Sequence, residues 1–151
     1  MSIKMAKFGG SSVSDAGQFQ KVKRIIESDP SRLFVVPSAP GKRFAGDDKV
    51  TDLLYLLYAQ YNSDAEYTET FRKICDRYTS IEKELGLHTD IRSELDAILK
   101  NLENGASEDF MASRGEYLNA LLLADYLGLN SWTRPSSSAS ILTVPMTMKP
   151  R

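Results

Sequence analysis

The apolar positions of this chain fall first into two short runs and then into long stretches with helical spacing. Residues 2–8 and Leu33–Val36 are apolar enough to form buried strands. Between them, the apolar residues that share one helical face are Phe19, Val22, Ile25 and Ile26. Asp15 is a suitable N-cap for this helix, and Asp29-Pro30 ends it. The order strand, helix, strand predicts a right-handed crossover between two parallel strands.

Beyond residue 49 the pattern is helical up to residue 128. Residues 37–48 carry Pro, Gly and Asp and therefore predict a loop. Four helices are predicted to follow. The first spans Val50–Tyr61, and the second has Ser63 and Glu66 as a capping box at its start and Gly86 at its end. The third spans Ile91–Leu102, and the fourth begins at the N-cap Ser107 and ends at the C-cap Gly128. The fold class is therefore α/β and helix-rich after residue 49. Two parallel strands do not form a stable sheet alone, so the domain is expected to be incomplete.

A glycine turn joins the first strand to the first helix, in the stretch Lys7-Phe8-Gly9-Gly10-Ser11-Ser12. Adjacent glycines allow a ligand to approach the backbone closely, and the following helix N-terminus favours phosphate. Lys7 adds a positive charge, and the serines add hydroxyl donors. Because parallel strands end at one edge, Gly9-Gly10 should lie beside Ser38-Ala39, where ligands of open α/β sheets bind. An ordinary glycine turn is the alternative for so short a motif.

Composition and charge argue against several classes of function. The net charge is −1 and the basic residues are dispersed, which gives no electrostatic case for nucleic acid or an anionic membrane as a partner. No apolar run reaches transmembrane length and no signal peptide is evident, so a cytoplasmic location is expected. The single cysteine, Cys75, lies on the apolar face of a predicted helix and is expected to be a core residue. His88 has no neighbouring ligands, so no metal site is expected.

Three stretches in this order resemble the aspartokinases of the amino acid kinase family. They are Met5–Val13, then Val36–Arg43 with Lys49–Leu54, and then Ser113–Leu118. The resemblance covers roughly residues 1–128 and implies an incomplete αβα sandwich of the amino-acid-kinase type with parallel strands. Other kinases of the family, acting on acetylglutamate or uridylate, are a weaker alternative. Phe8, the paired serines and Thr51-Asp52 favour aspartate as the substrate.

The resemblance implies transfer of the γ-phosphoryl group of ATP to the side-chain carboxylate of L-aspartate, the first step of lysine, threonine and methionine synthesis. Mg²⁺ would be held mainly by the ATP phosphates. Lys7 would be the catalytic residue that neutralises the transferring phosphoryl group. Gly9, Gly10 and Ser11 would contact the ATP phosphates through backbone and hydroxyl groups.

The resemblance places three further residues on the aspartate side. They are Ser38, Thr51 and Glu116, and Glu116 would bind the α-ammonium group. Each has a simpler alternative. Ser38 suits a turn, Thr51 suits a helix start, and Glu116 suits a salt bridge to Arg114 or a solvated helix face.

The tail changes in composition after residue 128. Residues 129–151 are rich in Ser, Thr and Pro, and reading the codons one base earlier permits a Phe-Val-Asp-Ala-Ala segment like that of the family. We interpret residues 1–128 as the N-terminal part of an amino-acid-kinase domain and the tail as frameshifted, with a disordered native tail as the alternative. The family's later substrate and nucleotide-base segments have no counterpart, so little activity is expected from this chain alone. The rival hypothesis is a non-catalytic helical module that self-associates as a homo-oligomer.

Overall fold

The computed structural model describes residues 3–128 and the two-residue strand Val144–Pro145. The elements in chain order are β1 (Lys4–Phe8), a 3-10 turn (Gly10–Val13), α1 (Ala16–Glu27), β2 (Arg32–Pro37), α2 (Val50–Asn62), α3 (Thr68–Leu85), α4 (Ile91–Glu103), α5 (Glu108–Leu127) and β3 (Val144–Pro145). The rest of the tail, to which the frameshift hypothesis applies, lies outside the described residues. Within the described part, no helix is both long and apolar enough to cross a membrane.

The sheet confirms the predicted parallel pair. β1 and β2 run parallel, with Ala6 opposite Val35 and Phe8 opposite Pro37. β3 pairs antiparallel with β2, which gives the strand order β1-β2-β3. Because α1 connects two parallel strands, the carboxyl ends of β1 and β2 lie side by side.

Most helix ends are where the local chemistry predicts them. The Asp15 carboxylate accepts a hydrogen bond from the backbone N–H of Gln18 at 2.9 Å, as an N-cap does. Ser107 caps α5 in the same way. Gly86 and Gly128 end α3 and α5 with φ of 62° and 68°, in the left-handed region that favours glycine.

The predicted capping box of Ser63 and Glu66 is wrong. Ser63 ends α2, and its hydroxyl donates back to the carbonyl of Ala59 at 2.8 Å. α3 begins only at Thr68, whose backbone N–H donates to the Glu66 carboxylate at 2.7 Å. The physical reason is that serine satisfies orphan carbonyls at a helix end as readily as orphan N–H groups at a helix start.

The helix stripes bury one continuous core, with one exception. Ile25 belongs to the predicted apolar face of α1, but it is 46 % exposed, because Ala16, Phe19, Val22 and Ile26 already fill that face. Cys75 is buried among the core residues as predicted, and burial raises the pKa of its thiol. The expectation that both strands are buried is wrong for most of their residues. In β1 only Phe8 is buried in the core, and Met5 on the alternate face is 63% exposed; in Leu33–Val36 only Val35 is fully buried.

Candidate functional site

The carboxyl ends of β1 and β2 bring the glycine turn and the following loop into contact. The backbone N–H of Ser38 donates to the carbonyl of Phe8 at 2.9 Å. The backbone N–H of Gly41 donates to the carbonyl of Gly10 at 2.8 Å. This confirms that the glycine turn lies beside the segment after β2.

Gly41 is a glycine because two backbones meet at it. A Cβ added there would lie 2.6 Å from the carbonyl carbon of Gly10 and 2.8 Å from the nitrogen of Ser11. Both neighbours are backbone atoms, which cannot give way as the end of a flexible side chain can. The close approach, rather than an unusual φ, therefore requires glycine at this position.

A cavity of about 440 Å³ opens at this edge of the sheet. Its lining residues are Gly10, Ser11, Ser38, Ala39, Pro40, Gly41, Lys42, Lys49, Thr51 and Glu116. Of the predicted site residues, Gly9 and Lys7 are the two outside this lining. Gly9 lies next to it at the start of the 3-10 turn, and Lys7 is exposed near the end of β1. The structure thus gathers residues from three distant parts of the chain around one space.

Glu116 is the one acidic residue in the described lining of this cavity. Burial on α5 raises the pKa of its carboxyl group, and the positive charge of Lys7 partly opposes that shift. Lys7 is therefore close enough to act on Glu116 although it lies outside the lining. The predicted alternative of a salt bridge to Arg114 does not form. Arg114 donates instead to the Ser113 hydroxyl at 2.9 Å and lies over the ring of Phe110.

Gly115 allows α5 to approach the loop closely. A Cβ at Gly115 would lie 2.8 Å from the Cβ of Ala39 and 3.2 Å from a methyl carbon of Leu54. The hydroxyl of Tyr78, itself fully buried, donates to the Gly115 carbonyl at 2.7 Å. These contacts place Glu116 at the cavity wall.

Two lysines of the lining were not predicted as site residues. Lys42 and Lys49 are exposed, and within residues 3–128 neither forms an ion pair with a carboxylate. The sequence signal was weak, because lysines in a polar loop are ordinarily solvated. With Lys7 nearby and Glu116 as the acidic member, the charge around the cavity is net positive and suits an anionic ligand. No group of three or more His, Cys, Asp or Glu residues placed to hold a metal occurs in the described ranges.

Asn119 was also missed by sequence reasoning. It is fully buried on α5, and its amide nitrogen donates to the carbonyl of Ser38 at 2.8 Å and to that of Val13 at 3.3 Å. One side chain thereby joins the segment after β2 to the end of the 3-10 turn. The only sequence signal is a polar residue inside the apolar run Leu118–Leu123.

Replacing Asn119 by alanine should destabilise the chain by about 2 kcal/mol, because the buried carbonyl of Val13 and the partly buried carbonyl of Ser38 lose their donor. Urea unfolding followed by circular dichroism measures this change. Asn101→Ala is the matched control, since Asn101 is exposed on α4. Equal unfolding midpoints for the two variants would show that Asn119 does not hold these segments.

Comparisons with known proteins identify the family of this chain. The profile of the amino acid kinase family matches residues 3–145. Aspartokinase 3 of Bacillus subtilis (strain 168) is 39% identical over 130 residues, which is 82% of this chain and 29% of that protein. The chain therefore spans less than a third of the length of this relative.

Solved structures of related chains are similar to this chain in fold. The crystal structure of Clostridium acetobutylicum aspartate kinase is similar with a TM-score of 0.82 and 50% identity, over 85% of this chain and 30% of that one. The structure of E. coli aspartokinase III in complex with aspartate and ADP has a TM-score of 0.64 and 27% identity, over 83% of this chain and 29% of that one.

Proposed function

Because the chain belongs to the amino acid kinase family, we propose that it forms part of an aspartate kinase, which phosphorylates the side-chain carboxylate of L-aspartate with ATP. The observation that carries this proposal is the single cavity that joins the glycine turn to Ser38, Thr51 and Glu116. A phosphate donor and an amino acid acceptor must meet at one place, and this cavity offers both kinds of contact. The E. coli relative is described in complex with aspartate and ADP.

On the phosphate side, we assign Lys7, Gly9, Gly10 and Ser11 to ATP. Phosphoryl transfer depends on positioning the attacking and leaving oxygens in line and on stabilising the charge that develops. Lys7 would neutralise the transferring group, while the backbone and hydroxyl donors of the turn would hold the phosphates. Mg²⁺ would enter with ATP and be held mainly by its phosphates.

On the aspartate side, we assign Glu116, Ser38 and Thr51 to the amino acid. Glu116 is half-buried, and a carboxylate in such a place is costly unless a positive group pairs with it. The α-ammonium group of aspartate would supply that pair. Lys42 and Lys49, which line the same cavity, would favour the carboxylates of the same ligand.

The test uses a chimera in which residues 3–128 replace the matching segment of Clostridium acetobutylicum aspartate kinase, assayed by aspartyl hydroxamate formation. Glu116→Ala should raise the KM for aspartate about 10- to 100-fold, the value of a lost charged hydrogen bond. The KM for ATP should change little. If the KM for aspartate stays the same, Glu116 does not bind the substrate, and the proposed aspartate pocket is wrong.

The pH dependence gives an independent check on Glu116. Binding of the ammonium group needs the ionised carboxylate, which is lost as pH falls through the pKa of Glu116. Because burial raises that pKa above the ordinary value of a glutamate, aspartate binding should begin to weaken at a higher pH than an ordinary glutamate would allow. Glu116→Gln should abolish this acid limb in a plot of KM against pH.

A self-associating helical module is the second candidate function. It is favoured by the exposed apolar side chains of Tyr55 and Leu56, which are adjacent on α2. Size-exclusion chromatography without ligands separates the two proposals. A stable oligomer that ignores ATP and aspartate would support the module, whereas binding of either ligand by a monomer would support the kinase.

A further inference from the structure

A buried arginine on α3 lies behind the loop that lines the cavity. Arg77 is only 3% exposed, and its guanidinium reaches residues 41–48 of that loop. It donates to the carbonyl of Gly41 at 2.7 Å, to the carboxylate of Asp47 at 2.7 Å and to the carbonyl of Asp48 at 3.0 Å. A guanidinium presents five N–H donors in a rigid planar fork, whereas an ammonium group has three donors on a single nitrogen and does not reproduce this spread of contacts.

Asp47 closes the same network from within the loop. Its carboxylate is 8% exposed and accepts from the side chain of Arg43 at 2.7 and 2.9 Å, in addition to Arg77. The two guanidinium groups, Arg43 first, hold the pKa of Asp47 well below its ordinary value. A buried arginine whose partners all lie on one loop keeps that loop in place, because any displacement leaves a charge buried without partners.

The network reaches the glycine turn through one residue. The carbonyl of Gly41 accepts from Arg77, while the N–H of Gly41 donates to the carbonyl of Gly10. Next to this contact, the carbonyl of Pro40 accepts from the N–H of Val50 at the start of α2. Arg77 is thus two hydrogen bonds away from the turn, although it does not line the cavity itself.

We propose that Arg77 is a positioning residue of the candidate site, which holds residues 38–49 so that Ser38, Lys42 and Lys49 face the cavity and the glycine turn is aligned against Gly41. The identity of the ligand in the cavity rests on the proposed function, but the positioning of the loop by Arg77 does not. Arg77 differs from the other cations of α3 in its burial. Lys73 also reaches the loop, at Asp48 and 3.1 Å, but its side chain is 49% exposed. Arg72, also on α3, is 59% exposed and pairs with Glu69 and Asp76 on its own helix.

Limited digestion of the 151-residue chain with trypsin tests the positioning directly. The loop contains three cleavage sites, after Lys42, Arg43 and Lys49, and Lys83 and Lys100 provide reference sites in α3 and α4. Arg77→Met should accelerate cleavage at the loop sites at least about tenfold while the reference sites keep their rate, because only the loop is released. Arg72→Met is the control. It removes the site at residue 72 itself and should leave cleavage at the loop sites and the reference sites unchanged.

Two more measurements separate positioning from general stability. Arg77→Lys should restore part of the loop protection, since an ammonium group can still reach one or two of the acceptors. The amide NMR signals of Gly10 and Gly41 should shift in Arg77→Met and remain in place in Arg72→Met. If Arg77→Met does not fold, Asp47→Asn keeps Arg77 and carries the digestion test, with loop cleavage again expected to rise.

The outcomes are distinct. Equal acceleration at every trypsin site, or no acceleration at the loop sites, would overturn the positioning role. The chimera tests the proposed function separately, through the effect of Glu116→Ala on the KM for aspartate. If that KM stays the same while loop cleavage in the 151-residue chain responds to Arg77→Met, the positioning stands and the proposed function fails.

Discussion

Replacing Lys7 by methionine should lower the kcat of the chimera by about 10²- to 10³-fold, the loss that follows removal of one group stabilising transition-state charge. Both substrates are anionic, so a cation beside the glycine turn matters most when charge moves between them. The KM for aspartate should change less, because Lys7 lies outside the cavity lining. Steady-state hydroxamate kinetics with each substrate varied in turn measures both constants.

Lys4→Met is the matched control for this prediction. Lys4 lies on the same strand, and its ammonium group pairs with Asp29 at 2.8 Å, away from the turn. Its removal should leave kcat within about twofold, as is usual for exposed ion pairs. A Lys7 variant as active as the Lys4 variant would remove Lys7 from the catalytic role.

Lys7 and Glu116 should also be coupled in pH dependence. The charge of Lys7 lowers the pKa of Glu116 against the effect of burial. Without that charge the pKa should rise further, and protonation should then set in at a higher pH. The acid limb of aspartate binding should therefore move to higher pH in Lys7→Met, which a plot of KM against pH measures.

Replacing Gly41 by alanine should separate the loop from the glycine turn. The added methyl group would meet the backbone of Gly10 and Ser11 within 2.8 Å, so one of the two segments must move. Overpacking of this kind costs about 1–3 kcal/mol, and the hydrogen bond from Gly41 to Gly10 would be strained or lost. Urea unfolding of the chain measures the stability, and the chimera should lose activity in kcat/KM.

Gly46→Ala provides the control within the same loop. The nearest side-chain atom to a Cβ at Gly46 is a ring carbon of Phe44 at 3.9 Å, an ordinary contact. This variant should stay within about 0.5 kcal/mol of the wild-type chain. If Gly41→Ala proves as mild as Gly46→Ala, the loop has room to move and the close contact does not define the site.

The helix ends could be predicted from the sequence where they depend on local interactions. Asp15, Ser107, Gly86 and Gly128 were placed correctly, because a cap depends on residues within one helical turn. The edge position of Gly10 followed from the order of strands and helix. Ser63 was misplaced for the same reason in reverse, since its local chemistry suits either end of a helix.

By itself the sequence determined the order of helices and strands up to residue 128, the parallel strands and the glycine turn at their edge, because periodicity and turn chemistry act over a few neighbouring residues. Only the tertiary structure decided that Lys42 and Lys49 line the cavity with Glu116. It also decided the roles of Arg77 and Asn119, whose partners Asp47 and Ser38 lie 30 and 81 residues away along the chain. Contacts over such separations depend on how whole helices pack, and no local pattern records that.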